Sequence, residues 1–377
     1  LNNENILQGP VTNYVHSNYE FTNDYIVSEN RKNILLIETK EGYKSFIRML
    51  DDELVSFISS SDITVLVCSV ADASSEGMFL ELLKCVKKHG IENKIKYVDT
   101  NVHLSKYKDV FAFHYFFEES VLTKENFFDG SVNDLGYESK QIQESELDSF
   151  RNKKFLCFSR NNDKHHRLSL LHDYLTNDFS DSYFSFLQSV VPYCSIYHGD
   201  ENLLSADEYN EKLPIELDTD GKINNFRTDN AFPKELFLDS VINICSETSF
   251  ENNELFITEK VLKPILNFQP FILIGPYQYL KELRKLGFKT FGDFWDESYD
   301  DIQNNADRIK KVCEVIESLI TKSNEEWDEL NKSLKPLLEH NRKVLLSFQE
   351  DKVGDTYIQN LNKLISDEPN KENYNLL

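Results

Sequence analysis

The sequence predicts an α/β protein of two Rossmann-like domains facing a cleft, with helices at the C-terminus. Three observations predict it. Apolar, β-branched runs alternate with stretches of helical periodicity, which is the pattern of parallel sheets covered by crossover helices. The alternation stops in a polar stretch near residue 150 and then restarts. At 377 residues the chain is also too long for one ordinary core.

Residues 1–30 are polar and irregular. "NILLIE" (33–38) is expected as a strand, four apolar residues before a polar stop. "SFIRMLDDELVSFI" (45–58) has helical spacing. "DITVLVCSV" (62–70) is continuous and β-branched, as a strand buried on both faces requires. "EGMFLELLKCVKKHG" (76–90) is a helix with lysines and Gly90 at its C-terminal end. "KIKYVDT" (94–100) supplies a third strand, completing βαβαβ.

Residues 129–152 lack apolar periodicity and serve as linker. Beyond them, "KKFLCFSR" (153–160) is a strand and "HHRLSLLHDYL" (165–175) a helix. "FLDSVINICSE" (237–247) contains a core strand. A helix starts at Thr258, a strand covers 271–274, and "PYQYLKELRKLGF" (276–288) is an amphipathic helix ending at Gly287. Residues 302–366 are helical in pattern and highly charged. The expected domains are 1–150, 151–345 and a helical tail, 346–377.

Charge and composition exclude several classes. The net charge of −23 argues against a nucleic-acid partner, which needs a basic face. It leaves room for a small anion held by local Arg and Lys. The six cysteines show no C-x-x-C, and Cys68, Cys157 and Cys245 fall in strands, so buried reduced thiols and a reducing compartment are expected. No apolar run approaches a membrane span, and the first residues lack a basic start and a long apolar core. A soluble, cytoplasmic protein is expected.

Two loops carry the chemistry. After the strand at 153–159 the chain places Ser159, Arg160 and Asn161 at a carboxyl end, and Arg167 on the first turn of the next helix. A helix N-terminus attracts anions, and an Arg there can grip phosphate with two donors. A flanking surface Arg would look the same. In "SETSFENNELFITEK", Glu247 and Glu251 follow a strand and Thr258 can cap the next helix. Glu259 suits the first helical turn, whereas Lys260 opposes the helix dipole. A bound anion would make Lys260 favourable there; a lysine reaching into solvent is the plainer alternative.

Here the chain resembles the alpha-1,3/1,4-fucosyltransferases, over roughly residues 153–290. Their donor motif has the form F-E-N-S, a few residues, then Y-I-T-E-K, an apolar helix and a strand ending in G-P. This chain has Phe250-Glu251-Asn252, then Phe256-Ile257-Thr258-Glu259-Lys260, and Gly275-Pro276. The spacing is shorter than in the common form, so Ser246-Glu247-Thr248-Ser249 is the alternative counterpart of the first part. The earlier strand, Ser-Asn loop and helical Arg of that family have Phe158, Ser159, Asn161 and Arg167 as counterparts. The block Thr258-Glu259-Lys260 with Lys263-Pro264-Ile265 is also similar to one in viral and bacterial glycosyltransferases.

The resemblance implies a GT-B glycosyltransferase that inverts the anomeric carbon without a metal or other cofactor. It implies a GDP-sugar donor, its diphosphate and ribose held by the Arg, Glu and Lys positions, and a carbohydrate acceptor. It implies a catalytic Glu in the first half, for which Phe117-Glu118-Glu119-Ser120 gives Glu119 as the closest match. Glu38, Asp72 and His114 are rivals for that role.

Asp218-Thr219-Asp220 has the D-x-D form of metal-dependent glycosyltransferases, but no apolar strand precedes it and a turn is the expected structure. Adjacent His165 and His166 on a helix do not face one ion. No metal is expected. Two further alternatives stay open: a non-catalytic α/β protein binding a small anion, and a transferase using another donor such as a UDP-sugar.

Overall fold

The computed structural model describes residues 20–22, 25–27, 33–38, 43–69, 74–114, 142, 146, 151–159, 164–187, 204–217, 234–251, 254–347, 360 and 363–364. The protein is mixed α/β and divides into two compact units. One comprises Leu1–Thr123, Asn253–Ile257 and Gln349–Leu377; the other comprises Lys124–Asn252 and Thr258–Phe348.

In the first unit a six-stranded sheet has its strands in chain order. β1 (Glu20–Thr22) and β2 (Tyr25–Val27) form an antiparallel edge against β3 (Asn33–Glu38). β4 (Ile63–Ser69), β5 (Ile95–Asp99) and β6 (Val110–Ala112) then continue in parallel. β4 and β5 are buried almost throughout, which explains their unbroken apolar sequence. The expected helix over 45–58 is instead two helices, α1 (Tyr43–Met49) and α2 (Asp52–Ser60). Asp51 causes the break: its side chain accepts from Leu54 N at 2.8 Å and caps α2. α3 (Glu76–Lys88) starts at the Ser75 cap, and Gly90 follows it with φ of 67°, a left-handed conformation that favours glycine. Tyr97 packs edge-on against both Tyr43 and Phe79 in the core, with Phe79 and Tyr97 centroids 5.1 Å apart.

The second unit is built on a four-stranded, wholly parallel sheet. Its strands are β7 (Lys153–Ser159), β8 (Tyr183–Phe186), β9 (Ser240–Ser246) and β10 (Phe271–Ile274), in the spatial order β10-β9-β7-β8. The chain moves outward from β7 to β8 through α4 (His165–Thr176), then returns to the far side of β7 to lay down β9. The strand order thus reverses between β7 and β9, and in open sheets of this kind ligands bind beyond the carboxyl ends of the strands at such a reversal.

α5 (Ala206–Lys212), with a Ser205–Glu208 capping box, lies within the return path. α6 (Lys234–Asp239) runs directly into β9, so the "FLD" at the front of the expected strand segment is helical. α7 (Glu259–Leu266), α8 (Tyr279–Lys285), α9 (Asn305–Ile320) and α10 (Asn324–Ser347) complete the unit. Cys68, Cys157 and Cys245 are buried free thiols in strands, as expected. No helix among the described residues is long and apolar enough to cross a membrane.

Candidate functional site

Glu247 is the first residue beyond β9 and sits at the reversal of strand order. It is wholly buried, and its backbone N–H donates to the Ile274 carbonyl at 2.9 Å, fixing it beside the end of β10. Its carboxylate takes hydroxyls from two directions. Thr258 Oγ1 donates to Oε2 at 2.6 Å, and Tyr279 Oη donates to Oε1 at 2.5 Å. Burial and this neighbouring carboxylate push the Tyr279 phenol well above its ordinary range, so it remains a proton donor.

The Glu247 carbonyl joins the same corner to α4. Arg167 Nη2 donates to it at 3.1 Å, and His166 Nε2 lies 2.9 Å away. A carbonyl only accepts, so Nε2 carries the imidazole proton. Burial, with Arg167 next in weight, lowers the His166 pKa to about 3, which keeps the ring neutral. The ring stacks on Phe250, centroids 4.9 Å apart and planes 15° from parallel. Arg308 also lies over the Phe250 ring, at 4.2 Å, and its Nε donates to the Gly275 carbonyl. One buried guanidinium therefore ties the loop after β9 to the end of β10.

Thr258 organises the other wall. Its extended backbone caps α7, its Oγ1 accepting from Lys260 N at 3.2 Å while donating to Glu247. Lys260 turns back over this cap, with Nζ 3.1 Å from Thr248 Oγ1 and 3.5 Å from Thr258 Oγ1. Arg167 and Lys260 thus converge on the Glu247–Thr248 segment from two different helices. Both stand at a helix N-terminus, the end whose dipole already draws anions.

The structure brings Arg167, Glu247, Thr258 and Lys260 together. Ser159 is buried at the end of β7 and its carbonyl accepts from Leu187 N at 3.1 Å. Glu251 is exposed and accepts from Asn305 Nδ2 at 2.7 Å. Glu259 is the first residue of α7. Arg160, Asn161, Glu119, Asp72, Asp218 and Asp220 lie outside the described residues. Sequence reasoning placed Phe250 in a motif without its stacking role, missed His166 as a carbonyl donor, and missed Tyr279 and Arg308. Only Tyr279 left a local signal, following the Gly275-Pro276 turn.

The first unit holds a second polar corner. Asp99, wholly buried at the end of β5, accepts at Oδ1 from Asn101 N at 2.6 Å and Ser74 N at 3.4 Å. Burial pushes its pKa up to about 7.

No protein-family model matches the sequence, and no curated protein matches it. Among solved structures, an alpha1,3-fucosyltransferase with GDP is similar at a TM-score of 0.35 and 11% identity, covering 96% of each chain. Another alpha1,3-fucosyltransferase structure is similar at 0.32 and 14%, covering 92% of this chain and 88% of that one. A UDP-forming alpha,alpha-trehalose-phosphate synthase from Burkholderia xenovorans is similar at 0.34 and 12%, covering 86% and 79%.

Proposed function

We propose that this chain is a GT-B glycosyltransferase that moves a sugar from a nucleotide-sugar donor to a carbohydrate hydroxyl, inverting the anomeric carbon without a metal. One observation carries the reading. Two cationic side chains from separate helices bond to the Glu247–Thr248 segment just beyond β9, where the strand order reverses. The resemblance of the Thr258-Glu259-Lys260 and Ser159–Arg167 segments to fucosyltransferase donor motifs makes GDP-fucose the leading donor. Polysaccharide biosynthesis in the cytoplasm is the matching setting.

In this reading Arg167 and Lys260 neutralise the donor pyrophosphate. Ser159, Arg160 and Asn161 are assigned to donor contacts by the motif resemblance, and Glu259 to the ribose hydroxyls. Glu247 and Thr258 fix the corner on which Lys260 rests, and Glu251 stands at its exposed edge. Residues 1–150 form the acceptor domain, 151–345 the donor domain and 346–377 a helical tail. Glu119 removes the acceptor proton. The acceptor oxygen then bonds to the anomeric carbon as the bond from that carbon to the phosphate oxygen breaks. The nucleoside diphosphate leaves with the electron pair, its charge stabilised by Arg167 and Lys260.

The test is a thermal-shift screen of GDP-, UDP-, CMP- and dTDP-sugars, followed by chromatography of the stabilising donor after long incubation. A specific ligand raises Tm by mass action. Slow release of free sugar identifies a transferase. A donor recovered intact identifies a binding protein, and no stabilisation by any donor overturns the proposal.

A further inference from the structure

At the opposite, amino-terminal end of the second unit's sheet lies a cavity of about 230 Å³. Its lining includes Arg151, Lys153 and Lys154 at the start of β7, Trp327 of α10, and the carboxylates Asp181 and Asp328. Both carboxylates are on exposed residues, where water screens them. The cations are held differently. Arg151 is 7% exposed, and its Nη1 donates to the Ser240 carbonyl at 2.8 Å while its Nε has no partner. Lys153 Nζ donates to the Ser180 carbonyl at 3.2 Å, and Lys154 Nζ to the Ile320 carbonyl at 3.0 Å.

Among the described residues none of these three cations forms an ion pair with a carboxylate. That is unexpected in a chain of net charge −23. A guanidinium removed from water without a counter-charge is costly. Burial alone pulls the Arg151 pKa down to about 10, with no carboxylate opposing it. A fourth donor is also unused: Trp327 is 5% exposed and its indole Nε1–H has no partner. Each ammonium carries three donors and each guanidinium five, and the carbonyls named above take one from each residue. The wall therefore sets three cations and an unused indole donor against two water-screened carboxylates, Asp181 and Asp328.

We propose that this cavity binds a phosphate-class oxyanion, either inorganic phosphate or the phosphoryl group of a small sugar phosphate. The ion pairs with Lys153, Lys154 and Arg151. The site is separate from the Glu247 corner, which lies at the other end of the same strands, and does not depend on the donor reading.

The experiment compares Tm in sodium phosphate with Tm in sodium chloride of equal ionic strength, for the wild type and for Lys153→Gln/Lys154→Gln. Phosphate stabilises proteins generally at high concentration, and that component survives in the variant. The wild type is expected to show an additional, saturable rise that the variant lacks. Equal rises in both proteins, or no saturable rise in the wild type, overturn the proposal. The chain has two tryptophans, so Trp295→Phe leaves Trp327 as the sole indole reporter. Its emission is expected to change saturably with phosphate even if the lysine variant fails to fold; unchanged emission counts against the site. A hexose monophosphate saturating at least about tenfold lower than phosphate identifies the metabolite as the ligand. Similar or weaker binding identifies the inorganic ion.

Discussion

Thr258 Oγ1 stands 2.6 Å from Glu247 Oε2, joining the cap of α7 to the end of β9. The same hydroxyl accepts from Lys260 N. One small side chain thus sets both where the helix begins and where the lysine in its first turn stands. Tyr279 holds the other carboxylate oxygen, so the corner has little freedom to adjust if the threonine is lost.

Thr258→Val keeps the shape but removes the cap and leaves one oxygen of a buried carboxylate without its donor. The expected loss of stability is about 2–4 kcal/mol, combining a cap with an unsatisfied buried acceptor. Thr258→Ser retains the hydroxyl and recovers most of it. Urea melts of the three proteins measure this; a valine variant as stable as wild type contradicts the assigned joint.

Lys260 is half-buried at a helix start, where its charge opposes the dipole. Lys260→Ala is expected to raise the Kd for the nucleotide sugar about tenfold or more, because a charged phosphate contact is worth roughly 1.5–3 kcal/mol. Stability should change by less than about 1 kcal/mol. Calorimetric titration and thermal melting separate the two effects. Unchanged affinity argues that the lysine has no phosphate to meet.

These residues also show how far the sequence could be followed. β4, β9 and β10 were legible because strands buried on both faces must be continuously apolar. β6 and β8 were not, having only three and four residues and sitting beside polar loops. The Thr258 cap and Lys260 were local features, visible in Thr-Glu-Lys before an apolar helix. The joint between His166 and Glu247 spans 81 positions and leaves no trace in spacing or periodicity. Asp51 was visible yet read as part of a helix, because its capping role depends on backbone geometry the pattern does not carry.

Stability is expected to depend on pH from both sides. The His166 pKa falls from 6.5 to about 3 on folding, so the unfolded chain binds the extra proton between those values. Stability from this group is present above 6.5 and lost as pH falls toward 3. Asp99 does the reverse, rising from 3.8 to about 7, so its contribution declines as pH climbs through that window. Between pH 3.8 and 6.5 the two slopes oppose each other, so Asp99→Asn should uncover the rise due to His166, a change in slope of at most about 1.4 kcal/mol per pH unit. Melts from pH 4 to 8 test the slope. A variant with the wild-type slope shows that Asp99 ionises freely in the fold.

Glu119 is the proposed base. Glu119→Gln is expected to leave donor affinity unchanged and to cut kcat at least about a hundredfold, the usual range for loss of a general base. Turnover near wild type would place the base elsewhere.

The most direct test of the account titrates a nucleoside diphosphate and the matching monophosphate into the wild type and into Arg167→Gln/Lys260→Met. If Arg167 and Lys260 grip a pyrophosphate, the wild type favours the diphosphate by at least about tenfold, and the double variant loses that preference. Equal binding of the two nucleotides by the wild type, or a preference that survives in the variant, would contradict it.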